Sequence, residues 1–196
     1  MIYHIKTSNI NNFSMFSKTK SIAIDTNVLL WTFYSNISFS SGYQKKIYPS
    51  LLTKILNIKG CKIYTTAVNL FEIFNVVEKT EYEIYLKLNN INSSKLTLKQ
   101  YRNIESERNK LKNTCELIFK QISQFIDIVD LELTNFDLQN FNLNYTNHKY
   151  DIFDYTLVKF AKENNVDYIL TDDKDFSTGS YLLDGINIMT ANKNLI

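Results

Sequence analysis

Short apolar runs that stop abruptly alternate along this chain with longer segments whose apolar residues recur every three or four positions. Ser21-Ile22-Ala23-Ile24 reads as a buried strand that ends on Asp25, and Thr26-Asn27 opens a helix over about 27–35. Ile47, Leu51, Leu52, Ile55 and Ile58 place a helix over 43–58, which Gly60 stops. Residues 61–65 read as a second strand, and Thr66 can cap a helix over Ala67–Lys79 that is apolar nearly all round and hence buried. Tyr101, Ile104, Leu111, Cys115, Ile118, Ile122 and Phe125 line one face of an amphipathic helix over about 98–125. A short strand over 126–131 and an Asn-rich loop over 133–148 follow. Residues 151–165 form a helix, Tyr168-Ile169-Leu170 a strand, and 186–189 a last strand, with Gly179 and Gly185 marking turns. Residues 1–20 are polar and unassigned, and Ser38–Gly42 reads as a loop. Strands alternating with helices imply βαβ units and a mostly parallel sheet.

Composition narrows this little. With 44% hydrophobic and 21% charged residues the chain can bury a core, and 4 Gly with 1 Pro argue against disorder and against a turn-rich all-β fold. A net charge of +2 does not mark a nucleic-acid binder. Its distribution says more. Six bases against two acids give +4 over Lys95–Lys112, and seven acids against three bases give −4 over Tyr150–Asp175. The basic face is solvated, or it borders a nucleic-acid path or a partner. Two cysteines without metal spacing indicate a reducing compartment, and His4 and His148 sit in no nucleophile motif. With no apolar run near a membrane span and no signal-peptide core, a cytoplasmic protein is expected.

Acids terminate two of the strands. Right-handed crossovers bring every parallel strand's carboxyl end to one edge, where α/β folds bind ligands. Asp25 and Asp173 then meet there, and Glu72 and Asp154 reach it from the starts of their helices. Each has a plainer reading. Asp25 is a helix cap; Glu72 is a distant ion pair or lies on a solvent-facing sliver; an acidic run is a solvated face. Asp151 lies one turn before Asp154 and could join it, and Asp172 and Asp175 compete with Asp173. Four carboxylates without basic partners repel unless a cation compensates, and all-oxygen donors suit Mg²⁺ or Mn²⁺.

These residues resemble the PIN-domain nucleases, especially the VapC-type toxin ribonucleases. The resemblance rests on Ile24-Asp25-Thr26-Asn27, on Glu72 inside an apolar helix, on Asp154 heading another, and on Leu170-Thr171-Asp172-Asp173-Lys174-Asp175-Phe176 after a strand. Order and rough spacing agree over about residues 21–190. It implies a three-layer α/β/α fold with a mostly parallel sheet, Mg²⁺- or Mn²⁺-dependent cleavage of single-stranded RNA, frequent homodimers and often a cognate antitoxin. Carried over, Asp25, Glu72, Asp154 and Asp173 are the acidic quartet, with Asp25, Asp154 and Asp173 holding metal and Glu72 handling the attacking water. Asn27 and Thr171 would orient ligands, and Lys99 and Arg102 would track the RNA backbone. The extension over 1–20 and the longer helical middle (80–125) depart from the compact toxins. Two other readings stand beside this one. The first is a phosphatase with Asp25 as nucleophile, disfavoured because Asn27 stands where its general acid would be. The second is an inactive PIN-fold module that binds RNA or a partner protein.

Overall fold

The computed structural model describes residues 2–4, 16–37, 42–143, 150–177 and 186–195. These form six strands, β1 (Ile2–His4), β2 (Ser21–Ile24), β3 (Lys62–Thr66), β4 (Asp127–Val129), β5 (Tyr168–Leu170) and β6 (Asn187–Thr190). Seven helices accompany them: α1 (Thr26–Phe33), α2 (Gln44–Leu56), α3 (Ala67–Leu88), α4 (Leu98–Tyr101), α5 (Glu105–Ser123), α6 (Asn135–Leu143) and α7 (Ile152–Glu163). The strands lie in the order β1-β6-β5-β2-β3-β4, and every pairing is parallel. Fold class is therefore α/β, an all-parallel sheet covered on both faces.

Side-chain alternation sorts the two faces. Ile22 and Ile24 of β2, Ile63 of β3, Leu170 of β5 and Met189 of β6 join one core with α1, α2, α3 and α5. Ala23, Ile169 and Ile188, one residue out of phase, join the other core with α7. Strands buried on both faces read as continuous apolar runs, which is why β2 and β5 are recognisable in the sequence.

Chain order makes β2 the turning point. The path runs outward from β2 through β3 to β4, returns to β5 on the other flank of β2, and moves outward again to β6. The crevice at the carboxyl ends of β2 and β5 is thus the topological switch point, the usual ligand position in such sheets. β1 lies beyond β6 in parallel register, so the amino-terminal segment left unassigned above supplies an edge strand.

Four expectations are corrected. The helix expected to end at Lys79 runs on to Leu88, and Phe71 near its start is 70% exposed, so it is not buried all round. The single helix over 98–125 is two. A Thr97–Gln100 capping box starts α4, and Ile104 is extended before Glu105 and Glu107 open α5, where acids favour a helix start. Tyr101 is buried against Tyr82 and Tyr85 of α3, so the chain turns into α3 and restarts. The Asn-rich loop contains α6, opened by reciprocal hydrogen bonds between Thr134 and Asp137 and tied to α7 by Lys159. Within the helical middle, Ile118 and Ile122 of α5 sit in the core. A buried carboxylate fastens this segment. Glu81 accepts from Tyr34 (2.7 Å) and Asn36 (2.8 Å) and pairs with Lys110 (2.7 Å). His148, Gly179, Gly185 and most of the Ser38–Gly42 loop lie outside the described residues. No helix among the described residues is long and apolar enough to cross a membrane.

Candidate active site

β2 delivers Asp25 to the switch point. Its backbone N–H donates to the Leu170 carbonyl (3.1 Å), and its carbonyl accepts the first helical bond of α1 from Leu29 (3.2 Å). Asp25 therefore stands at the N-cap position, yet its carboxylate makes no capping hydrogen bond. Instead Oδ2 accepts from the Thr171 hydroxyl at 2.8 Å. An acid only 3% exposed whose carboxylate leaves the helix end uncapped is not explained as a cap.

Thr171, fully buried after β5, joins the two strand ends. Its hydroxyl donates to Asp25 and accepts from the Asp173 backbone N–H (2.9 Å). Asp173 in turn accepts from the Asp175 N–H (2.8 Å), closing a tight turn at the start of a 3-10 turn, Lys174–Ser177. Asp172 belongs elsewhere. It is buried and accepts from Tyr43 (2.9 Å), Gln44 (2.7 Å) and Tyr48 (2.5 Å), all at or near the start of α2. Removing it strands the buried Tyr48 hydroxyl, at about 1–3 kcal/mol for an unpaired buried donor, and frees the more exposed Tyr43 and Gln44 from the fold. Asp172→Ala is therefore expected to lower stability by about 2–4 kcal/mol, read as a Tm drop of roughly 5–15 °C in calorimetry. Asp173→Ala should leave Tm nearly unchanged.

Glu72 approaches from α3 and is held by a relay. The Thr26 hydroxyl donates to Glu72 Oε2 (2.5 Å) and accepts from Asn69 Nδ2 (2.9 Å). Asn69 Oδ1 accepts from the Thr66 hydroxyl (2.6 Å), and the Asn69 N–H caps back onto Thr66 Oγ1 (3.1 Å). Because Thr26 spends its lone pair on the amide, its single proton points at Glu72. Thr66, Asn69 and Thr26 are essentially buried, and the sequence reading assigned none of them to the site. Their signal was present: Thr66, Asn69 and Glu72 repeat every three residues, one polar stripe on an apolar helix.

Asp151 and Asp154 sit at the start of α7. Asp151 is exposed and caps that helix, accepting from Phe153 (2.8 Å) and Asp154 (2.9 Å). Asp154 is half-buried.

Electrostatics ties these acids together. Burial, then the charges of Glu72 and Asp173, push Asp25 from 3.8 up to about 8 against the pull of the Thr171 hydroxyl. Burial, then Asp25, Asp151 and Asp173, push Asp154 to about 9. Burial raises Glu72 to about 7, aided by Asp151 and Asp173 and opposed by the Thr26 hydroxyl. Asp173 is raised chiefly by burial, with Asp175 and Asp151 adding to it. Among the described residues none of Asp25, Glu72, Asp151, Asp154 and Asp173 has a lysine or arginine in ion-pair contact. The donor set is all oxygen and its field predominantly negative, with Lys174 beside Asp173 the opposing charge, which suits a hard divalent cation. No three acidic, histidine or cysteine side chains among the described residues stand together as a ready ligand set. Mg²⁺ retains several waters and needs only one or two direct carboxylates, so the donors fit in type and charge without forming a closed shell.

The remaining expected positions fall outside this cluster. Asn27 is half-buried on the wall of an adjoining cleft. Arg102 is engaged bidentately by Glu78 (2.7 and 2.5 Å), six residues further along α3 than Glu72, or about 9 Å of helix. Lys99 is exposed on the short α4. No known protein family and no curated protein matches the chain.

Proposed function

We propose that this chain is a Mg²⁺- or Mn²⁺-dependent endoribonuclease of the PIN type. The observation that carries the reading is that four carboxylates from four separate elements, each raised by burial and by neighbouring acids, gather around the switch point of a parallel sheet. A fold gathers unpaired negative charge in this way only at a cost of several kcal/mol, and strongly perturbed acids in a crevice mark functional sites.

In this reading Asp25, Asp154 and Asp173 would hold the cation, which when bound would supply neutralisation of phosphate charge and a more acidic water. Thr171 fixes the carboxylate of Asp25 and, through the N–H of Asp173, the turn that carries the third acid. Glu72, aimed by Thr26, orients the attacking water and takes its proton. With burial holding it near about 7, Glu72 is a competent base at neutral pH. Attack in line on phosphorus leaves a 5′-phosphate and a 3′-hydroxyl. The resemblance also supplies a homodimer, an RNA substrate and a protein antitoxin as proposed partners.

The test is a 3′-labelled single-stranded RNA incubated with purified protein and Mn²⁺. Cleavage that EDTA abolishes, with 5′-phosphate ends on the products, is the expected result. The lack of a preassembled ligand set among the described residues favours a second reading, an inert PIN-like scaffold that binds RNA or protein. Calorimetric titration separates the two: no Mn²⁺ binding and no cleavage would establish the scaffold.

A further inference from the structure

Beside the acids lies a cleft of about 570 Å³, within the size range of small-ligand sites. Leu30, Trp31, Ile37 and Val76 give it an apolar floor, and Asn27 and Asp173 join it to the acidic cluster. Lys79 and Lys174 stand exposed on its rim, where they balance Glu83 and Asp173. Asp172, also on its wall, is already saturated by three donors. The interior thus favours a flat, weakly charged group, and the two rim lysines offer N–H donors to flanking phosphates. Trp31 stacks on Tyr48 (5.3 Å, 26°), so its indole is braced in a fixed plane while remaining partly exposed at the cleft. Thr80, 3% exposed, lines the same cleft, and its hydroxyl has no hydrogen-bond partner among the described residues.

We propose that this cleft is a nucleotide subsite, which seats one base of a single-stranded RNA against Trp31 while Lys79 and Lys174 face its flanking phosphates. This rests on the nuclease reading, and places the nucleotide next to the bond to be cut. Stacking on an aromatic ring is sequence-tolerant and strong enough to matter, because every base has a π-face.

Trp31 is the sole tryptophan of the chain, so any change in emission arises at this one side chain. The experiment titrates the Asp25→Asn protein, in EDTA, with a fluorescein-labelled RNA hexamer followed by anisotropy and an unlabelled one followed by tryptophan emission. Saturable quenching with the same Kd as the anisotropy change is expected. Trp31→Phe should weaken binding modestly and Trp31→Ala about tenfold or more. Lys79→Ala/Lys174→Ala, both on the surface, should lower the slope of log K against log salt by about 1.4, since each phosphate contact on a single strand contributes about 0.7. RNA binding without any change in tryptophan emission, an unaltered salt slope, or no RNA binding at all would overturn the subsite. The two proposals fail separately. Wild-type cleavage without quenching removes the subsite alone, and quenching without cleavage by the wild type removes the nuclease alone.

Discussion

Asp25→Asn and Asp154→Asn are each expected to lower Mn²⁺-dependent RNA cleavage by about two to four orders of magnitude, the scale on which single charged groups act in catalytic centres. Both should also make the metal-free protein more stable at pH 8. The opposite signs are the diagnostic. An acid retained for structure, such as Asp172 with its three donors, loses stability when altered. Asp25 instead carries a charge that burial and Glu72 disfavour, so an amide of the same shape removes a penalty and can still accept from Thr171. A rise from 3.8 to about 8 caps that penalty at about 6 kcal/mol, at about 1.4 kcal/mol per pH unit. Because the charge of Asp25 is one of the causes that raise Asp154, the two gains are not independent, and the double variant should gain less than the two singles added. Urea unfolding at pH 8 with EDTA, beside cleavage kinetics with Mn²⁺, reads both signs on one preparation. Asp151→Asn is the comparison: asparagine caps a helix as well as aspartate does, so α7 is kept while only a surface charge goes. Unchanged cleavage by Asp25→Asn and Asp154→Asn would remove both from the centre.

Much of this centre was legible in the sequence because it depends on short-range order. Ile22-Ala23-Ile24 must be a doubly buried strand, and the acid that follows must lie at its carboxyl end. That β5 pairs directly beside β2 was not legible, because strand order is fixed by crossovers that leave no local mark. Asp172 and Asp173 were left as rivals, although a physical argument was at hand. In extended chain, residues two apart share a side. Thr171 faces Asp25, so Asp173 faces the same field and Asp172 turns to Tyr48. The roles of Thr26 and Asn69 were missed because polar residues near a helix start read first as caps, and Thr66 does cap α3. The break between α4 and α5 was hidden by an apolar stripe that continues across it, while the capping box at Thr97 and the acids at 105 and 107 marked two separate starts. Arg102 looked available for RNA only because its partner, Glu78, lies 24 residues away.

Raised carboxylates also dictate how the metal-free fold responds to pH. An acid whose folded pKa lies above its unfolded value binds more protons when folded, so stability is fullest below the unfolded pKa and is lost as pH rises through the folded one. For Asp25, Glu72 and Asp154 the window runs from about 4 to about 7–9. Glu81 works the other way. Burial alone would raise it, but Lys110, Asn36 and Tyr34 outweigh that and hold it below its ordinary value, so its contribution disappears as pH falls below about 4. The metal-free protein should therefore be most stable in mildly acidic solution, with Tm falling steadily from about pH 5 to pH 9. A divalent ion reverses the upper limb, since it binds the deprotonated carboxylates that repulsion makes costly. At a hundredfold excess over Kd, Mn²⁺ should add about 2.7 kcal/mol, or roughly 5–10 °C in Tm, and more at pH 8 than at pH 5.5. Asp25→Asn should flatten the pH dependence and shrink the Mn²⁺ shift together, because one charge lies behind both. A Tm insensitive to pH between 5 and 9 and to Mn²⁺ would show that the acids do not share a field, and the assignment of a metal centre would fall with it.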